Sequence, residues 1–128
     1  MKWTVSFHDE FESEFDELPA EVQDELFAEA AFIELLGPLT GRPHVDKLQG
    51  SDYANMKELR FEAMNDEWRV AFAFDPKQIA ILLVAGGKTG ISEKKFYKAL
   101  IAKADARFER HLARVKAEIK TGSKGRKK

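Results

Sequence analysis

The sequence contains no cysteine, so disulfides and thiolate metal centres are excluded and nothing points to an oxidising compartment. It has no apolar run approaching the length of about 18 residues that a membrane span needs. Met1 leads into the alternating stretch Trp3-Thr4-Val5-Ser6-Phe7 rather than into a basic flank and an apolar stretch. No signal peptide and no membrane partner are expected, and the expectation is a soluble, cytoplasmic protein. Histidine is scarce: His8, His44 and His111 lie far apart and show no paired ligand spacing, so no metal is expected. Gly86-Gly87-Lys88-Thr89-Gly90 has the composition of a phosphate loop but lacks the upstream spacing of one, which excludes the usual NTPase reading. Carboxylates crowd the first 36 residues, yet nothing sets two of them across a cleft as a glycosidase requires.

What remains is enough for one compact domain: 128 residues, 44% of them hydrophobic, with ten Phe and two Trp for a core. We expect that domain over residues 1–119, followed by a flexible basic tail over 120–128. The net charge of -1 conceals a separation of sign. Residues 1–36 carry eleven Asp and Glu against Lys2 alone, whereas residues 87–128 carry fourteen Lys and Arg against four acids. Segregated charge points to nucleic-acid contact, with oppositely charged, solvated helix faces as the plain alternative.

Periodicity gives the elements. Residues 2–8 alternate as a first strand, and Asp9 opens a short helix with Phe11, Phe15 and Leu18 on one face. From Pro19 to Leu36, Val22, Leu26, Ala30 and Ile33 mark a second helix that Gly37-Pro38 stops, so the two form an acidic hairpin. Thr40 to Ala54 reads as a long connection. Lys57 to Met64 and the alternation Trp68, Val70, Phe72, Phe74 predict a strand pair. A turn at Asn65-Asp66 would set Met64 opposite Glu67 and make Arg60 and Arg69 diagonal neighbours on the face away from the core. Gln78 to Gly86 is apolar on both faces, as a covered strand is. Ser92 caps a last helix on which Phe96, Leu100, Ala104, Phe108, Leu112 and Val115 recur. The fold class is therefore α+β: an N-terminal strand, a helical hairpin, a three-stranded antiparallel meander forming one mixed sheet, and a C-terminal helix.

The chemistry-bearing group is cationic: Lys57, Arg60, Arg69, Lys88, Lys94 and Lys95, with Tyr97 beside them. Arg60 and Arg69 are spaced to converge on one anion, the planar guanidinium being suited to two phosphate oxygens. The structural alternative is an ion pair of Arg60 and Glu62 with Arg69 across the strands. His44, in the long connection, is a reserve proton carrier or a residue held beside Pro43.

Gly41-Arg42-Pro43, Asp46-Lys47-Leu48-Gln49-Gly50-Ser51, Asn55-Met56-Lys57-Glu58-Leu59-Arg60, Arg69 before Phe72, and Ile81-Leu82-Leu83 running to Lys88-Thr89 together resemble the HigB branch of the RelE/ParE toxins, over roughly residues 1–115. The resemblance implies a RelE-like fold and a toxin that acts as a ribosome-dependent endoribonuclease on messenger RNA, by metal-independent attack of a 2'-hydroxyl on the adjacent phosphate. It implies no cofactor. Its partners would be the ribosome, the message and a cognate antitoxin encoded beside it, commonly a helix-turn-helix DNA-binding protein. On that reading Arg60, Arg69 and Lys88 are catalytic, while Lys57, Lys94, Lys95, Tyr97 and His44 bind RNA. The glycine-rich Gly86 to Gly90 stands where many relatives have an aromatic residue followed by lysine, and the terminal His or Tyr of several relatives is missing. The competing functions are a ParE-like toxin that binds DNA gyrase without cleaving RNA, and a noncatalytic nucleic-acid-binding module. An amphipathic, partly basic partner segment is also expected to suit the acidic helices around Glu21, Asp24, Glu25 and Glu29.

Overall fold

A computed structural model describes residues 2–126, with side chains through Lys120. Strand β1 (Thr4–Phe7) leads into helix α1 (Asp9–Asp16), whose first turn holds Asp9, Glu10 and Glu12 where the helix dipole favours negative charge. His8 caps that helix, its Nδ1 accepting from the Glu10 N–H at 3.1 Å. Helix α2 (Ala20–Leu36) follows Pro19 and ends at Gly37, which takes a φ of 57° and has the Trp3 ring where a Cβ would stand. A short 3-10 turn, Gly37–Leu39, leads on to β2 (Val45–Lys47), β3 (Lys57–Ala63), β4 (Asp66–Phe74), β5 (Ile79–Gly87) and helix α3 (Glu93–Arg126). The sheet order is β1-β5-β4-β3-β2, with β1 parallel to β5 and the other pairs antiparallel.

The expected α+β arrangement is thus present, with one strand more than the sequence reading had. The three residues of β2 fall inside the long connection and are too few to show a period, but they pair with β3 and bring Asp46 opposite Glu58.

The β3–β4 turn also differs from expectation. Its two central residues are Met64 and Asn65, both with left-handed φ (52° and 58°), so Ala63 pairs with Asp66 and Arg60 lies directly opposite Arg69. Asp66 belongs to the strand because its carboxylate is engaged, accepting from the Thr89 N–H at 2.8 Å and the Thr89 hydroxyl at 2.6 Å. Moving the turn back one residue slides each partner by two positions, which keeps every side chain on its predicted face. Met64 is exposed and bulky in a backbone region that suits Asn far better. Met64→Asn is therefore expected to raise stability by about 1 kcal/mol in urea denaturation.

Two apolar layers enclose the sheet. On one side Phe11, Phe15, Val22, Leu26 and Ile33 of the hairpin meet Leu59, Phe61, Val70, Phe72 and Leu82. On the other, Phe96, Leu100, Ala104 and Phe108 of α3 meet Ala71, Ala73, Ile81, Leu83 and Val84. Each such Leu or Phe taken out of water contributes about 1.5–3 kcal/mol. The pairing of β4 with β5 shifts between Ala71 and Phe72, leaving Leu83 without an opposite number. The Leu83 carbonyl is taken instead by the buried Arg107 guanidinium, at 2.7 Å.

Arg107 belongs to a ladder that pairs part of the N-terminal acidic group with part of the C-terminal basic one. It pairs with Glu14 and Glu10, Arg110 pairs with Glu10, and Arg114 pairs with Asp9. Arg107, Arg110 and Arg114 of α3 thus face Asp9, Glu10 and Glu14 of α1. Helix α3 extends to Arg126 through Lys116-Ala117-Glu118, which favour helix. Lys127 and Lys128 lie outside the described residues.

Candidate active site

Strand β3 alternates strictly, so Leu59 and Phe61 enter the core while Glu58 and Arg60 share the opposite face. Arg69 points to that same face from β4, and Tyr97 reaches it from the start of α3, whose first turn Ser92 caps through the Lys95 N–H at 3.3 Å. These three elements converge on one phenol. The Tyr97 hydroxyl accepts from Arg69 Nε at 3.2 Å and donates to Glu58 Oε1 at 2.8 Å. Ala71, opposite Glu58 on β4, is small enough to leave the carboxylate room.

Both charged ends of this chain are out of water, Arg69 being 4% and Glu58 6% exposed. Their charges are 3.8 Å apart. Burial pushes the Glu58 carboxyl above the usual range, against the Tyr97 hydrogen bond and the Arg69 charge, which favour its ionised form. Burial and the bond to Glu58 likewise raise the Tyr97 phenol. Burial works against the Arg69 cation, but its bonds to Tyr97 and Glu67 outweigh that and leave it more firmly protonated. The Arg69 guanidinium also donates to the Trp68 carbonyl at 2.9 Å and to Glu67 at 3.0 Å. It is a fixed cation that orients its neighbours.

Arg60 differs in kind. Its side chain is 33% exposed, and its nearest acid is Asp46 at 3.4 Å, which is already held by Arg42 at 2.7 Å. Two like charges directly opposite one another are unfavourable, and the two guanidinium groups turn apart, Arg60 toward Asp46 and Arg69 toward Glu67 and Tyr97. The predicted closeness is therefore present, but the joint grip on one anion is not. The alternative ion pair forms with Glu58 and Glu67 rather than with Glu62.

Lys88 closes the site from the end of β5. Its Nζ lies 5.5 Å from the Tyr97 ring centroid and 3.0 Å from Glu93. The Lys88 N–H donates to the Glu67 carbonyl at 3.0 Å, beside Gly87, where a Cβ would collide with Asp66. Burial opposes it, but the bonds from Thr89 hold the Asp66 carboxyl below the usual range, so this loop end is anchored by a firm anion. Between β2 and the start of α3 a groove of about 440 Å³ opens over Glu58 and Tyr97, with Lys47 and Lys94 on its walls.

Arg60, Arg69, Lys88, Lys94 and Tyr97 of the predicted group are thus brought together. Three others are not. His44 stacks on Phe32 at 3.8 Å between ring centroids and bonds Glu29 at 2.6 Å, on the helical-hairpin side of the sheet. Lys57, in phase with Leu59, donates to the Pro38 carbonyl at 2.9 Å on that same side. Lys95 lies on the flank of α3 beside Gly86 and Gly87. The residue that sequence reasoning missed is Glu58, although its spacing of two from Arg60 on an alternating strand placed it on the same face.

Residues 13–109, which include every residue of this site, match the family described as phage derived protein Gp49-like. The chain is 42% identical over 97 residues to HigB2, a candidate toxin of Mycobacterium tuberculosis, an alignment covering 75% of this chain and 48% of that protein. It is 47% identical over 81 residues to HigB3, a second candidate toxin of the same organism, covering 63% of this chain and 68% of that protein. The chain thus spans about half the length of the first relative and about two thirds of the second. A mutant of the Escherichia coli toxin RelE in the free state shares the fold, with a TM-score of 0.54 at 13% identity over 80% of this chain and 97% of that one.

Proposed function

This chain belongs to the phage-derived Gp49-like family, and from that premise we propose that it is the toxin of a type II toxin–antitoxin system and an endoribonuclease that cuts messenger RNA on the ribosome. The observation that carries the nuclease reading is the buried Glu58–Tyr97–Arg69 chain beneath a groove walled by the exposed Lys47 and Lys94, with the half-buried Arg60 and Lys88 beside it. A carboxylate whose proton affinity burial has raised is a suitable acceptor for the proton of a ribose 2'-hydroxyl. The freed 2'-oxygen then bonds to the adjacent phosphorus as the bond from phosphorus to the 5'-oxygen breaks. The products are a 2',3'-cyclic phosphate and a 5'-hydroxyl. Arg60 is the group free to meet the negative charge that gathers on the phosphoryl oxygens. Lys88, held over the Tyr97 ring, supplies charge or a proton at the departing 5'-oxygen. Arg69 holds Tyr97 and Glu58 in line, and Lys94 guides the RNA strand along the groove wall.

The cytoplasm, the ribosome and an antitoxin from the neighbouring gene follow from this reading as its setting and partners. Among the described residues, no helix is long and apolar enough to cross a membrane. The test is primer extension on a defined message in a translating extract, comparing wild type with Arg60→Ala. Arg60 is half-buried and tied only to an acid that has another partner, so its loss leaves the fold intact. The expected result is cleavage at ribosomal A-site codons by wild type and a rate lower by about 10²-fold in the variant. Absence of cleavage by wild type sinks the nuclease reading and moves the assignment to gyrase inhibition or noncatalytic binding.

A further inference from the structure

Helix α2 is apolar on more of its circumference than the core uses. Val22, Leu26, Ala30 and Ile33 face inward and are buried. Phe27, Ala28, Ala31 and Leu35 stand on the outward side, all exposed, with Phe27 at 56% and Leu35 at 65%, while His44 stacks on Phe32 at the edge of this face. At 100° per residue, Ala28, Ala31 and Leu35 lie within one narrow outward stripe, and Phe27 borders it. Large apolar side chains gathered on one solvent-facing surface mark a contact site more often than isolated ones do. Beside Phe27 the stripe meets a crevice of about 130 Å³ floored by Val5, Phe7, Leu26 and Leu82, which has room for a single apolar side chain.

The charges around the stripe name its occupant. Helix α2 carries Glu21, Asp24, Glu25, Glu29 and Glu34 and no Lys or Arg. Asp9, Glu10 and Glu14 of α1 are paired with α3, and Glu29 is bonded to His44. Asp24 sits on the outward stripe itself, while Glu25 and Glu34 edge it on either side. A second copy of this chain seated stripe to stripe would set acid against acid, which disfavours a dimer. We propose that the outward face of α2 docks an amphipathic helix whose apolar stripe is flanked by Lys and Arg, with one apolar side chain entering the crevice at Phe27. This rests on the toxin reading in one respect: the protein presenting the helix is the antitoxin from the neighbouring gene. The site built on Glu58, Arg60 and Tyr97 lies on the other face of the sheet, so the partner holds the toxin without filling its groove.

The test is titration of the purified neighbouring-gene product into wild type, Leu35→Met and Leu35→Lys, followed by fluorescence anisotropy. Growth arrest by each toxin variant is scored separately in cells without that partner. Leu35 is solvent-facing, so all three chains fold, which circular dichroism checks. The expected result is equal binding by wild type and Leu35→Met, and binding weaker by about 30-fold or more in Leu35→Lys, with growth arrest undiminished in all three. Undiminished binding by Leu35→Lys overturns the docking surface and leaves the toxin reading standing. Failure of wild type to bind also overturns it. Growth arrest in that case preserves the toxin reading, and its absence removes both.

Discussion

Arg69→Ala is expected to destabilise the chain by about 3–5 kcal/mol and to abolish cleavage, the largest combined loss of any single change in the site. The argument is one of unpaired charge. Arg69 is buried, and its guanidinium bonds Tyr97, Glu67 and the Trp68 carbonyl while lying 3.8 Å from Glu58. Alanine removes the cation but leaves Glu58 where it is, with no other cation among its contacts at that depth. Tyr97 keeps its bond to Glu58 and loses the one that fixes its direction. Urea denaturation followed by circular dichroism measures the stability term. A loss below about 1 kcal/mol would show that Arg69 is an ordinary surface pair in energetic terms. The double variant Arg69→Met/Glu58→Gln separates cause from consequence. With both charges replaced by uncharged groups of similar size, much of the lost stability should return, because breaking a buried pair costs more than replacing it. Activity should not return with it. An equally unstable double variant would place the cost in packing around the Arg69 stem instead.

The sequence made the faces of the sheet legible and left the register obscure. Alternation at Leu59, Phe61 and Ala63 and at Trp68, Val70, Phe72 and Phe74 is a local signal, since each side chain's face depends only on its own place in the strand. Register depends on the turn, and here the favoured Asn65-Asp66 lost to Met64-Asn65 because Asp66 has a partner 23 residues away at Thr89. Distance along the chain hid the rest in the same way. Nothing near Glu14 announces Arg107, 93 residues on, and nothing near Glu58 announces Tyr97, 39 residues on. The charge separation was visible in the sequence, but the pairing of Asp9, Glu10 and Glu14 with three arginines of α3 was not. Cationic residues drew attention to the site for their abundance, and the buried acid among them escaped notice because a lone Glu on a strand is unremarkable until its burial is known.

That acid carries the second prediction, in which activity and stability move apart. Glu58→Gln keeps the size of the side chain and an oxygen for the Tyr97 hydroxyl to donate to, but it can no longer take a proton. Cleavage is expected to fall by about 10²–10⁴-fold, the span that a positioned general base contributes. The pH dependence fixes the sign of the argument. Burial raises the folded proton affinity of Glu58 above its unfolded value of about 4.3, so in the range between them the folded chain holds a proton that the unfolded chain has lost. The stability this contributes is fully present below the unfolded value and is lost as pH rises through the folded one. Wild type should therefore show a stability component that falls as pH rises above that unfolded value, where Glu58→Gln shows none. Over that same range single-turnover cleavage by wild type should rise, as the carboxylate becomes free to accept the 2'-hydroxyl proton, while the residual rate of the glutamine variant stays flat. Wild-type cleavage by Glu58→Gln would remove the carboxylate from the chemistry and leave it a structural partner of Arg69. Loss of the stability component together with loss of the rising rate would tie both effects to one proton on one side chain.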